Sequence, residues 1–81
     1  MSDTQYNNIL NIAYKKYKKD WCKDRGYNLK EVEKANANDE EYNGEMFVCL
    51  DEFEEYEFQD KEYMEFLLSS KEFALWKKID N

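Results

Sequence analysis

Between Tyr6 and Trp21 the large apolar residues are Tyr6, Ile9, Leu10, Ala13, Tyr14, Tyr17 and Trp21, recurring at spacings of three and four. At about 100° per residue these positions collect in one arc of roughly 140°, so the chain is built around an amphipathic helix whose apolar side needs a second layer. That helix is predicted over 4–25. Asp3 or Thr4 can cap its start, and Gly26 can end it in a left-handed turn, with Lys23 and Arg25 beside the negative end of the helix dipole.

Proline is absent, and Gly26 and Gly44 are the only glycines, so they divide the chain into three parts. Asn28 with Glu31 three positions later forms a capping-box pattern for a short helix over 29–35, and ANANDEEYNG after it reads as loop. Five apolar residues in a row, Met46 to Leu50, suit either a buried strand or a helix. The placement of Met46, Cys49, Leu50, Phe53 and Tyr56 on one helical face favours an acidic helical region over 45–68. Within it Asp60 can cap a helix carrying Tyr63, Met64, Phe66 and Leu67. Ser69 with Glu72 offers a second capping box for a C-terminal helix over 70–79, which carries Phe73, Leu75, Trp76 and Ile79.

A chain of 81 residues buries only about 60 to 65% of its unfolded surface and supports one core. Aromatic residues make up 17% of it, so that core is built from rings, which argues against disorder although 38% of residues are charged. The expected fold is mainly α, a compact single domain 1–81 of four to five helices, with a short strand at 46–50 as the alternative to helix there. Phe47 and Phe58 fall outside the apolar arc of the predicted helix. They are read as core or homodimer-seam residues, or as rings that help acidic neighbours to anchor in a basic groove.

Charge is distributed unevenly behind the net value of −7. Residues 1–38 hold eight basic and five acidic groups, residues 39–65 hold twelve acids against Lys61, and residues 66–81 hold three basic and two acidic groups. The candidate partner-binding residues are Asp39, Glu40, Glu41, Glu45, Asp51, Glu52, Glu54, Glu55, Glu57 and Asp60. One reading makes them a solvated face, partly neutralised by Lys15, Lys16, Lys18, Lys19 and Lys23. The other makes them a copy of the phosphate array of nucleic acid, with its one charge per about 1.7 Å of duplex axis, offered to a groove lined with Lys and Arg. Direct nucleic-acid binding is disfavoured by a pI near 4.6 and by lysines that spread over about 160° of the first helix without forming a stripe.

Several chemistries are excluded by residue type. Histidine is absent, and Ser2, Ser69 and Ser70 lie at a terminus or a helix cap, so a nucleophile with a histidine base cannot be assembled. The acids lie in a dense run, whereas paired carboxylates doing acid–base work sit in a cleft that separates their pKa values. Asp39, Glu41, Asn43 and Gly44 fit the first positions of a calcium loop, but Leu50 stands where a bidentate Glu is required. Two glycines 18 positions apart cannot form a phosphate-cradling loop. No catalytic residue, cofactor or metal is expected. Cys22 and Cys49 match neither a zinc nor a disulfide pattern and are expected as free buried thiols of a reducing cytosol. MSDTQYNN lacks a basic region followed by an apolar one, and the longest apolar run is far short of the roughly 20 residues that span a bilayer. A cytoplasmic protein with no membrane partner is therefore expected.

In its small size, missing catalytic groups, cytosolic cysteines and concentrated acids over 39–65, the chain resembles the acidic inhibitors encoded by phages and mobile elements, among them DNA-mimic anti-CRISPR and antirestriction proteins. The resemblance implies a non-enzymatic inhibitor in the host bacterial cytosol. Its partner would be a basic nucleic-acid-binding host protein such as an RNA-guided nuclease, which reads its short flanking motif with arginines. The alternative is a structural or adaptor helical module, possible as a homodimer, whose rings form the interface and whose acids only solubilise.

Overall fold

The apolar run folds as one helix, α1 (Asp3–Arg25), in the computed structural model, which describes residues 3–79. At 1.5 Å per residue its 23 residues extend about 34 Å, nearly the full 38 Å long axis of the molecule. Gly26 takes φ 71°, the left-handed conformation that ends a helix without a Cβ penalty. The Tyr27 N–H then bonds the Cys22 carbonyl at 2.9 Å and the Gly26 N–H bonds that of Lys23 at 3.2 Å, closing the last turn in a Schellman motif.

Helix α2 (Leu29–Ala37) is two residues longer than the spacing predicts and starts from half a capping box. The Asn28 Oδ1 accepts the Glu31 N–H at 3.2 Å, but the Glu31 carboxylate turns away to accept the Tyr42 hydroxyl at 2.8 Å. The segment read as loop ends in a tight antiparallel turn at 42–45. Tyr42 and Glu45 exchange both backbone hydrogen bonds, at 2.8 and 3.0 Å, around Asn43 and Gly44 at φ 53° and 78°. Positive φ at both central positions is the geometry that Asn-Gly favours.

The expected helical region over 45–68 does not begin at Glu45 or Met46 but at Leu50. Residues 46–49 are neither helix nor strand, because two tyrosines of α1 take up the backbone groups of Val48 that either structure would have used. The Tyr14 hydroxyl donates to the Val48 carbonyl at 2.9 Å, and the Tyr17 hydroxyl accepts the Val48 N–H at 3.2 Å. The acidic region 45–68 is therefore three short pieces: α3 (Leu50–Glu55), a 3-10 turn (Glu57–Gln59) and α4 (Lys61–Leu67), the last capped by Asp60 Oδ1 on the Tyr63 N–H. Helix α5 (Ser70–Ile79) carries a complete capping box, with Ser69 Oγ on the Glu72 N–H and Glu72 Oε1 on the Ser69 N–H. The product is mainly helical, with five helices and no strand among the described residues, packed as one globule.

Its core lies where Ile9, Leu10, Ala13 and Tyr17 of α1 meet Phe53, Phe58, Met64, Leu68 and Trp76. The rings form a continuous run. Tyr17 lies 5.2 Å from Phe53, Phe53 lies 6.1 Å from Phe58, and Phe58 meets Trp76 edge-on at 6.4 Å. Phe58 is only 1% exposed because the 3-10 turn aims it inward, where a continuous helix would have left it beside the acids. The Trp76 indole N–H fixes that turn by donating to the Phe58 carbonyl at 2.9 Å. Phe47 also packs inward, edge-on to Trp21 at 5.3 Å. Conversely, Met46, Cys49 and Tyr56, assigned to the buried face by helical spacing, are exposed, as is Phe66 of α4. Of the two cysteines expected inside, only Cys22 is buried, and burial pushes its thiol pKa up and so suppresses the reactive thiolate.

Candidate functional site: the acidic surface

Three of the ten candidate carboxylates are tied into the fold by hydrogen bonds, and a fourth, Glu57, is half-buried. Glu45 accepts the Tyr27 hydroxyl at 2.8 Å and lies 3.3 Å from the Arg25 Nε. Glu54 accepts the Tyr6 hydroxyl, and Asp60 caps α4. Glu57 is half-buried at the 3-10 turn, its Oε2 shielded from solvent and without a hydrogen-bond partner. The other six, Asp39, Glu40 and Glu41 after α2 and Asp51, Glu52 and Glu55 on α3, are exposed. None of the six forms an ion pair among the described residues.

The lysines of α1 do not relieve this charge. Lys16 pairs with Glu72 and Lys18 with Glu33, both outside the block 39–65. Glu45 is the single member of the block within ion-pairing distance of a base among the described residues. Phenols serve instead: Tyr6, Tyr27 and Tyr42 donate to Glu54, Glu45 and Glu31. A phenol satisfies a carboxylate oxygen without cancelling its charge, so the fold is anchored through its acids while the negative field survives. The hydrogen bonds to Glu45 and Glu31 push the pKa values of Tyr27 and Tyr42 upward, and burial does the same for Tyr14, Tyr17 and Tyr63; all five stay protonated at neutral pH.

Helix α3 sets the geometry of its acids. Phe53 enters the core, so Asp51, Glu52 and Glu55 point to solvent. Asp51 and Glu52 occupy the first turn, where the backbone N–H groups favour negative charge. Pairs such as Asp51 with Glu55 and Glu52 with Glu55, four and three positions apart, repel by a few tenths of a kcal/mol each. The adjoining end of the molecule is braced by the Arg25 guanidinium, 4.0 Å from the centre of the Trp21 ring, and by Tyr27 packed on Tyr42 at 4.9 Å. Arg25 thus holds both the end of α1 and the 42–45 turn that carries Glu45.

Two features escaped the sequence reading. The tyrosine–carboxylate pairs were signalled by seven tyrosines in a chain rich in acids, but pairing across 11 to 48 positions has no local periodicity. The exposure of Phe66 is the second: the helical wheel puts it about 40° from Glu62 and opposite buried Met64.

Among the described residues no three Cys, Asp or Glu side chains converge closely enough to hold a metal ion, and no helix is long and apolar enough to cross a membrane. Compared with protein-family models, curated proteins and solved structures, the chain matches none.

Proposed function

We propose that the protein is a non-enzymatic inhibitor whose acidic surface occupies the nucleic-acid-binding site of a basic host protein, such as an RNA-guided nuclease, in the manner of an anti-CRISPR DNA mimic. The observation that carries this reading is the imbalance of the block 39–65, where twelve carboxylates find one basic partner, Arg25 on Glu45, among the described residues. Asp51, Glu52 and Glu55 stand on a helix whose opposite side is locked into the core by Phe53, so the backbone that carries them is set before binding and only their side-chain rotamers need ordering. Opposite charge would steer the two proteins together and make the complex sensitive to salt. Such a protein works in the bacterial cytoplasm, where its target is.

The test is a pull-down from bacterial lysate with the tagged protein, eluted first at low and then at high salt, followed by competition of the eluted protein with duplex DNA or guide RNA. The reading requires a basic nucleic-acid-binding protein that leaves with salt and is displaced by nucleic acid. A partner that resists salt and ignores nucleic acid would overturn it.

A second reading, a homodimeric adaptor module, draws on a shallow apolar groove between α1 and α5, lined by Ile9, Ile12, Leu75 and Ile79, with Ile12 and Leu75 exposed. Most rings are committed to the monomer's own core, so this groove would have to supply the interface. Light scattering separates the two, because an apolar dimer persists at any salt concentration.

A further inference from the structure

Phe66 is 71% exposed, the most open of the large apolar side chains among the described residues. It is not loose. Its ring stacks on Tyr63, one turn earlier in α4, at 6.2 Å and 23°. With Met64 buried, the outer side of α4 presents Glu65, Glu62 and Phe66 in that order round the helix, at intervals of about 60° and 40°. Both glutamates are exposed, and neither forms an ion pair among the described residues. Lys61, the one base of the block, stands about 140° from Phe66 and about 40° from Glu65, so Glu62 is the carboxylate nearest the ring and farthest from a base. A supported ring beside the Glu62 carboxylate, which has no base one turn away on α4, is therefore the chemical character of this face.

Charge complementarity selects a cation for such a face, and the ring selects which one. Guanidinium is planar and weakly hydrated, stacks on aromatic faces and offers a fork of donors to a carboxylate, whereas the lysine ammonium is compact and strongly hydrated. We propose that the outer face of α4 is a docking patch for arginine on a basic partner, the guanidinium lying on the Phe66 ring and hydrogen-bonding to Glu62. The inference rests on the acidic surface being the partner-binding surface, and adds that the partner presents arginine there.

Isothermal titration with oligo-arginine and oligo-lysine peptides of equal length, against the wild-type protein, Phe66→Ala and the double variant Glu52→Lys/Glu55→Lys, tests it. The wild-type protein should bind oligo-arginine about two- to fivefold more tightly than oligo-lysine, the scale of an exposed cation–π contact. Phe66→Ala should abolish that preference and leave oligo-lysine binding unchanged. Equal binding of the two peptides by the wild-type protein, or an unchanged preference in Phe66→Ala, would overturn the arginine assignment. So would a wild-type dimer that Phe66→Ala dissolves, since the ring would then belong to a self-contact. The double reversal keeps the two ideas apart. If it weakens both peptides while Phe66→Ala keeps the preference, only the arginine patch fails; if it leaves both at wild-type affinity, the acidic-surface reading fails with it.

Discussion

Replacing Tyr14 and Tyr17 by phenylalanine should loosen the segment 46–49 without disturbing the ring packing beneath it. Each substitution removes one hydroxyl, and the two hydroxyls hold opposite polar groups of one residue, the carbonyl and N–H of Val48. Neither group has a helix or strand partner to fall back on. Both bonds are part-buried, so water restores some of the loss, and each single variant should cost about 1 kcal/mol, within the usual range of 0.5 to 1.5. The double variant should then cost about 2 kcal/mol, a substantial part of the roughly 4 to 12 kcal/mol expected for a domain of this size. At about 4 to 8 °C per kcal/mol, that lowers Tm by roughly 8 to 16 °C. Urea and thermal unfolding followed by the fluorescence of Trp21 and Trp76 measure it, with exposed Tyr56→Phe as the control expected to change nothing. A double variant melting within about 2 °C of wild type, against that scale, would mean that the tyrosines do not hold the segment and that the explanation for the missing helix at 46–49 is wrong.

Alkaline pH should destabilise the fold. The pKa values of Tyr14, Tyr17 and Tyr63 are raised above 10.0 chiefly by burial, and those of Tyr27 and Tyr42 chiefly by their carboxylate partners. The folded state thus keeps protons that the unfolded state has lost. Stability from this source is complete below about pH 10 and declines as pH rises beyond it, which urea midpoints on either side of that pH will read. Glu72 has the opposite sign: the Lys16 bond first, then the Ser69 N–H, lower its pKa below 4.5, so its contribution disappears as acid takes pH down through the folded value. Ser69→Ala, which removes the acceptor for the Glu72 N–H, should cost about 1 kcal/mol in urea unfolding. Gly26→Ala meets no atom within 4 Å but must hold φ near 71°, so about 1 to 2 kcal/mol of loss should come from backbone strain alone, and a neutral result would contradict the Schellman closure.

The helices that are legible in the sequence are those whose signals are local. The α1 stripe, Gly26, the Ser69–Glu72 box and the Asp60 cap each act within a few residues, and each appears where periodicity or capping chemistry places it. The Asn43–Gly44 turn has an equally local signal, although its segment is read only as loop. What the sequence hides is the competition at 46–49. Helical spacing there is sound, but Tyr14 and Tyr17, more than 30 positions away, bond the Val48 backbone and win. That contact displaces the helix start to Leu50, and the break at Tyr56 reorients Phe58 into the core. For the acidic surface the sequence supplied the charge but not its division: nothing local distinguishes Glu54, held by Tyr6, from Glu55, which faces solvent.

The proposed binding surface is the set of exposed acids on α3. Its most direct test is the affinity of the salt-eluted partner for the wild-type protein and for Glu52→Lys/Glu55→Lys, at about 0.1 and 0.5 M salt, where screening lengths differ about twofold. Both positions are exposed, so circular dichroism should report an unchanged helical fold. Docking through these acids should show as roughly a tenfold or greater loss of affinity at low salt and a much smaller difference at high salt. Wild-type affinity in the reversed protein at both salt concentrations would contradict it and leave the acids as a solubilising face.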